Sequence, residues 1–178
     1  GGIGLLGRSR FASSGLLHYR KTYLYNKAIS PEWFSQLNYD RSQLLDFRMV
    51  LGGGARASFA SGEWGEFGMG ASLVLEHEAL NLPEDAVHPS NTNTFRWSSF
   101  LTLRVVPTEQ VVITSTTYLQ PAFNDFSDLR TLGNVRIATS VTDELALTIS
   151  FNLRYDSEPP DGIAALDTTL RTGITYIY

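Results

Sequence analysis

The sequence predicts an all-β fold: a single antiparallel up-and-down transmembrane β-barrel of about ten strands, or about twelve if strands precede Gly1. Three observations support this prediction. Apolar and polar residues alternate along most of the 178 residues, and the helical spacing of apolar residues is nearly absent. The alternating segments also have the length that a strand needs to cross a membrane. We therefore expect residues 1–178 to form one domain, an outer-membrane barrel.

The clearest strand covers residues 145–155. Its odd-numbered positions include Leu147, Ile149 and Phe151, whereas its even-numbered positions carry small or polar residues such as Ser150 and Arg154. The segment has 11 residues. An ordinary strand has about 5–6 residues, and a tilted membrane-spanning strand has about 9–11. The length of this segment therefore favours a membrane-spanning strand.

The same alternation predicts the other strands. In chain order, they cover residues 3–11, 15–26, 33–41, 46–59, 67–79, 95–105, 111–123, 129–141 and 166–178. The alternation is weakest in the first three of these segments and in 111–123. The triple glycine at 52–54 lacks the lysine and the following helix of a phosphate loop, so we expect it to bend the sheet or to leave room for facing arginines.

The arginines indicate which face is enclosed. Of the 12 arginines, 11 lie on the polar face of the predicted strands, and Arg41 is the exception. In a soluble barrel or sandwich the apolar face points inward, and many lysines are expected outside, yet Lys21 and Lys27 are the only lysines. A lipid-facing barrel reverses this arrangement. Its lumen favours arginine, whose planar fork holds two acceptors at once.

Twelve charged residues on the polar face are the predicted lumen lining. They are Arg48, Arg56, Arg96, Arg104, Arg130, Arg136, Arg154, Arg171, Asp46, Glu76, Glu78 and Asp167. Glu66 lies on the same face and is a further candidate partner for the arginines.

The connections alternate in length, as they do in outer-membrane barrels. Short polar segments at 62–64, 108–110 and 142–144, together with 27–31, are predicted as periplasmic turns. The long segments 80–93 and 156–165 are predicted as extracellular loops. A tight connection at Ser13 and Ser14 is unusual for the extracellular side.

Aromatic residues occur near both predicted strand ends, where their amphipathic rings suit the headgroup region. The predicted periplasmic girdle contains Trp33, Trp64, Tyr176 and Tyr178, and the outer girdle contains Phe47, Trp97, Phe123 and Tyr155.

The final segment ends in an aromatic residue and carries Gly173, Tyr176 and Tyr178 at fixed offsets. It resembles the C-terminal insertion signal by which the barrel-assembly machinery recognises bacterial outer-membrane proteins. An edge strand offers free backbone groups for strand addition, which is a natural mode of recognition.

Several motifs resemble those of the salt-induced outer-membrane protein family. They are DFRMVLGGG at 46–54, GMGA at 68–71, EHE at 76–78, RWSS at 96–99, YLQP at 118–121, RYDSEPP at 154–160 and DTTL at 167–170. The resemblance covers about residues 40–178, and residues 1–40 match poorly. It implies a barrel in the bacterial outer membrane and no particular reaction.

Composition narrows the functional classes. The formal net charge of −4 disfavours nucleic acid as a partner, and the absence of Cys excludes disulfides and thiolate sites. Only three His are present, and no feature of the sequence pairs them with a nucleophile. A cation between Glu76 and Glu78 is a weaker interpretation than ion pairing. We therefore expect no enzyme, cofactor or metal.

Two functions remain. The first is a largely filled barrel that serves as a structural or docking component of the cell envelope. Its partners would be outer-membrane lipid, the assembly machinery and other envelope proteins. The second is a narrow porin-like channel whose arginines give it a weak anion preference. Small barrels are filled by their own side chains, which favours the first function.

Overall fold

A computed structural model describes residues 2–6, 9–23 and 29–176, with side chains from Ser14 onward. These residues form one antiparallel sheet in which each strand pairs with the next along the chain. A short first strand is followed by nine strands of 11 to 18 residues. They are β1 (Gly2–Leu6), β2 (Ser9–Thr22), β3 (Ile29–Asp40), β4 (Leu45–Gly62), β5 (Gly65–Leu80), β6 (Asn91–Thr108), β7 (Val111–Pro121), β8 (Leu129–Ser140), β9 (Leu145–Asp156) and β10 (Leu166–Tyr176).

The all-β, antiparallel, up-and-down prediction is confirmed. Among the described residues, the only helical segment is a 3₁₀ turn at Arg41–Gln43. Within these same ranges, no helix has the length and apolarity needed to cross a membrane. The sheet is open in this structure, because the described parts of β1 and β10 pair only with β2 and β9 and form its two edges.

From β4 onward, the short and long connections alternate as predicted. The turns between β4 and β5, β6 and β7, and β8 and β9 lie at one end of the sheet, here called the turn end. The connections 81–90, 122–128 and 157–165 lie at the opposite end, here called the loop end.

Two predicted connections at the start of the chain are wrong. Ser13 and Ser14 lie within β2, where Ser14 pairs with Gly2 on one side and Asp40 on the other. The turn predicted at 27–31 is also too long, since β3 already begins at Ile29. Pro31 is accommodated near the start of β3, where its carbonyl accepts a hydrogen bond from the Tyr23 N–H at 2.8 Å.

The sheet segregates apolar and polar residues between its faces. Leu147, Ile149 and Phe151 are 38%, 48% and 40% exposed, and most other exposed large apolar residues share their face. The opposite face holds the buried charged residues, among them Arg96 and Arg130. The apolar face is therefore the outer one, opposite to the arrangement in a soluble sandwich.

The polar face is concave. Arg48 on β4 and Arg130 on β8 both donate to the carboxylate of Glu78, each with one bond of 2.7 Å. Glu78 lies on β5, which is three strand spacings from β8, or about 14 Å in a flat sheet, where side chains of one face stand roughly parallel and do not meet over that distance. The sheet must therefore curl around this face.

Candidate functional site

The concave face is built in layers, because inward-pointing residues of neighbouring strands fall in register. Successive inward residues of one strand are about 6.7 Å apart, and each set of register partners forms one layer across the sheet. There are four kinds of layer. From the loop end to the turn end, they are an ionic layer, an aromatic layer, a layer of amide and hydroxyl side chains, and an arginine-rich layer.

An ionic cluster fills the loop-end part of this face. It consists of Arg48, Arg96, Arg130, Glu76, Glu78, Asp128 and Asp156. With Arg154 beside it, the cluster has equal numbers of basic and acidic groups. Such a balance is needed because an unpaired charge is costly where water is excluded.

Arg130 is the centre of the cluster. It lies opposite Asp156 on β9, and its Nε donates to Asp156 Oδ2 at 2.8 Å. Its two terminal nitrogens donate to Glu76 and to Glu78, the latter at 2.7 Å. Glu78 and Asp156 are each only 3% exposed. One guanidinium thus joins β8 to β5 and β9 through three carboxylates.

Arg96 connects the cluster to the loop end. Its guanidinium donates to both carboxylate oxygens of Asp128, at 3.0 and 2.9 Å, in the fork geometry typical of arginine. A further bond of 3.2 Å reaches the carbonyl of Gln120. Asp128 immediately precedes β8, so this pair fixes the connection between β7 and β8 over the buried charges.

The loop-end connections also bind one another. The backbone N–H of His88 donates to Asp161 Oδ2 at 2.7 Å, which joins the connection 81–90 to the connection 157–165. The Ser157 hydroxyl donates to the carbonyl of Ser127 at 2.9 Å and accepts from the N–H of Leu129 at 2.7 Å. Three connections at the loop end, next to the ionic cluster, are therefore joined to one another.

Asp125 stabilises the connection 122–128 from within. Both the hydroxyl and the N–H of Ser127 donate to its carboxylate, at 2.6 and 2.9 Å. These bonds favour the ionised form and lower the pKa of Asp125.

An aromatic layer lies below the ionic cluster. Phe100 is 4% exposed, and its ring contacts that of Tyr118 with centroids 5.4 Å apart. The guanidinium of Arg56 lies 5.5 Å from the centre of the Phe100 ring. Phe100 lies in the wall of a cavity of about 420 Å³ towards the turn end and also in the wall of one of about 210 Å³ beside the ionic cluster.

Glycines make room for these rings. A Cβ added to Gly70 would lie 2.3 Å from the Phe100 ring, and one added to Gly52 would lie 2.3 Å from the Phe34 ring. The triple glycine was predicted to bend the sheet or to leave room for facing arginines. At Gly52 the structure shows an aromatic ring instead.

The turn-end layer is an arginine row. It consists of residues that are register partners on successive strands from β5 to β10: Glu66, Arg104, Thr114, Arg136, Ser150 and Arg171. Arg104, Arg136 and Arg171 form no ion pair or side-chain hydrogen bond with any part of the chain that the structure describes.

The predicted lumen residues divide into three groups. Arg48, Arg96, Arg130, Glu76 and Glu78 meet in the ionic cluster. Arg56, Arg104, Arg136 and Arg154 lie on the same face, nearer the turn end or beside the cluster. Arg171 and Asp167 lie on the edge strand β10 and are exposed, as are Arg104 and Arg136.

Asp46 differs from the prediction. The pairing of β4 with β5 shifts between Leu45 and Phe47, so that Asp46 occupies a bulge. A bulge places two residues opposite one and ends the strict alternation. As a result Leu45 is buried while Asp46 is exposed.

Three acidic partners were missed. Asp156 shares the parity of Arg154 and could have been found by extending that strand by one residue. Glu32, which lies 3.7 Å from Arg20 and 3.8 Å from Arg56, follows a proline that was assigned to a turn. Asp128 precedes its strand, and no alternation identifies it.

Part of the predicted C-terminal insertion signal lies within the residues that the structure describes. Gly173 has open space around it, and the Tyr176 hydroxyl donates to Glu144 Oε2 at 2.9 Å. Tyr178 lies outside the described residues.

The histidines bind amide or carbonyl oxygens. His18, His77 and His88 lie 3.2, 2.9 and 2.9 Å from oxygens of Gln36, Asn93 and Pro89. Within ranges 2–6, 9–23 and 29–176, no group of His, Asp and Glu is arranged to hold a metal ion.

Fold and site together define a class: an up-and-down antiparallel β-sheet with an apolar outer face and a charged concave face. A family model described as "Protein of unknown function, DUF481" matches residues 10–178, and the chain belongs to that family. A search of curated proteins found no match.

Proposed function

We propose that this protein is an integral β-barrel of the bacterial outer membrane with a largely filled, arginine-rich lumen, and that it serves as a structural or docking component of the cell envelope. One observation carries the proposal. The concave face is occupied by a charge-balanced ionic cluster, while the opposite face exposes apolar side chains to its surroundings.

The outer face supports a lipid environment. Exposed apolar side chains extend along it from Leu17 on β2 to Ile174 on β10. Full burial of a large apolar side chain is worth about 1.5–3 kcal/mol, so each of these partly exposed side chains forgoes a share of that free energy, which hydrocarbon would restore. Near the loop end, the rings of Phe95, Trp97 and Phe123 lie together, with Phe95 and Phe123 stacked at 4.8 Å. Clustered aromatics suit the headgroup region.

Barrel closure is part of the proposal. An open strand edge in hydrocarbon leaves backbone groups without partners, at a cost of several kcal/mol each. We expect the edges formed by β1 and β10 to meet in the membrane. The curl that brings Arg48 and Arg130 to one carboxylate supports this closure.

The filled interior favours a structural role over conduction. A barrel of about eight strands is filled by its side chains, and open channels need about sixteen. Here the ionic cluster and the Phe100 layer occupy successive levels of the interior. We propose that the outer face or the connected loops hold other envelope proteins, and that the barrel-assembly machinery recognises the segment containing Gly173 and Tyr176. The resemblance to the salt-induced outer-membrane family supports the same location.

Planar-bilayer conductance tests this proposal. The detergent-folded protein should migrate differently with and without heating, insert into bilayers, and give no stepwise current over a range of salt concentrations. Stepwise current from the unmodified protein would contradict the filled lumen. A detergent-free, monodisperse monomer would contradict the membrane assignment.

A narrow anion-preferring channel is the second candidate function. The observation that favours it is the arginine row, where Arg104 and Arg136 lack acidic ion-pair partners among the described residues. This function predicts an anion-selective current that Arg104→Ser and Arg136→Ser change.

A further inference from the structure

We infer that the arginine row binds a soluble anion carrying two or more phosphate groups, on the concave face near the turn end. The proposed ligand spans Arg104 and Arg136, with the hydroxyl of Thr114 between them. This inference rests on the proposed function only for the identity of the surrounding compartment, since binding itself can be measured in detergent.

The spacing of the arginines in the row allows two of them to bind one ligand. Arg104 and Arg136 are both register partners of Thr114, so their backbones lie about 10 Å apart, two strand spacings. Arginine side chains are long enough to converge over the threonine or to hold two neighbouring anionic groups. Ser150 and Arg171 continue the same pattern on the next two strands.

The arginines of the row differ from those of the ionic cluster in having no ion-pair partners. The ionic cluster pairs its arginines with carboxylates, whereas Arg104, Arg136 and Arg171 have none within the described structure. The two sets are well separated, because Arg130 and Arg136 are six residues, or about 20 Å, apart along β8. The positive charge of the row is therefore not neutralised by the cluster.

One carboxylate faces the row, and the other acidic groups at this end of the sheet lie in the turns. Glu66 faces Arg104 but shares a hydrogen bond of 3.3 Å with the Ser58 hydroxyl. Glu63, Glu109, Asp143 and Glu144 lie in the turns and are exposed. Along the strand of Arg104 the acidic residue is Glu109, beyond Thr108 and so more than about 13 Å from Arg104.

A cavity provides the space. The cavity of about 420 Å³ towards the turn end is lined by Arg104 and Arg56, by Glu66, and by the hydroxyl-bearing residues Ser58, Thr102, Thr114 and Thr116. Arg136 lies outside its wall, on the strand next to Thr114. The size of the cavity is in the range of small-ligand pockets. Guanidinium groups bind phosphate through paired hydrogen bonds, and hydroxyl donors complete such a site. The concave position disfavours lipid headgroups, which would contact the outer face.

Isothermal titration of the detergent-folded protein with pyrophosphate tests the inference, with inorganic phosphate as the weaker reference. We expect one saturable site for pyrophosphate, and about tenfold or greater weakening in both Arg104→Gln and Arg136→Gln. Arg41→Gln is the matched control, since it removes one exposed arginine at the loop end and should leave the affinity unchanged. Circular dichroism of each variant establishes that it is folded.

Two results would overturn the inference. One is the absence of saturable pyrophosphate binding to the folded protein. The other is an equal loss of affinity in Arg41→Gln, which would indicate a general charge effect. If the protein binds pyrophosphate but does not insert into bilayers, only the proposed function is contradicted. If it inserts into bilayers without giving a current and does not bind pyrophosphate, only this inference is contradicted.

Discussion

Replacing Arg130 by Met tests the role of the ionic cluster in stability. Met keeps much of the length and volume of the side chain but removes the guanidinium that binds Glu76, Glu78 and Asp156. The consequences differ among the three carboxylates. Glu78 keeps its bond to Arg48, whereas Asp156 loses its only ion pair in the described structure and keeps the N–H of Glu158 at 3.1 Å.

The expected magnitude follows from burial. Removing one partner of a buried ion pair costs about 3–5 kcal/mol, because the remaining charge stays out of water. The free energy of unfolding of Arg130→Met should fall by about this amount. Arg104→Met is the matched control: it lies on the same face without an ion pair, and we expect a change within about 0.5 kcal/mol.

Urea titration of the detergent-folded protein, followed by tryptophan fluorescence, measures both changes. Adding Asp156→Asn to Arg130→Met should recover part of the loss, because the most isolated carboxylate then becomes neutral. Equal stabilities of Arg130→Met and Arg104→Met would refute the reasoning, and so would a double variant less stable than Arg130→Met.

Two further predictions concern packing and the loop end. Gly70→Ala should lower the free energy of unfolding by about 1–3 kcal/mol, because the added methyl would meet an aromatic ring of β6 at 2.3 Å. In the same urea titration, Gly53→Ala should be neutral or stabilising by up to about 1 kcal/mol, since its nearest new contact is 3.9 Å away. An equal loss in both would show that the ring does not limit the space. Asp128→Ala should speed chymotrypsin cleavage at the exposed Phe126, because the connection 122–128 loses its bidentate arginine partner. Asp143→Ala, in an exposed turn at the other end, should leave the cleavage rate unchanged, and similar rates for the two variants would contradict the proposed anchoring.

The alternation of residues predicted most of the fold, because a strand has a period of two and one face of this sheet is apolar. The pattern alone placed Arg96 and Arg130 on the same face as Glu76 and Glu78. From β4 onward it also predicted the alternating turns and long connections, which depend on where each pattern stops.

The alternation of apolar and polar residues could not predict local irregularities or contacts between distant parts of the chain. The bulge at Asp46 shifts the alternation by one residue, and the neighbouring residues give no signal from which a bulge could be predicted. Asp128 enters the cluster through a connection rather than a strand. The packing of the Phe34 ring over Gly52 depends on the register between β3 and β4, which the sequence does not state.

The central claim is that the apolar face of the sheet lies against lipid. Because the chain has no cysteine, single cysteines can be introduced at Ile149 on the outer face and at Thr148 or Ser150 on the concave face. Each is labelled with an environment-sensitive fluorophore after insertion into vesicles, and quenching by brominated acyl chains is measured. We predict strong quenching at position 149 and little at 148 and 150. Equal quenching at all three positions, or stronger quenching on the concave face, would contradict the account.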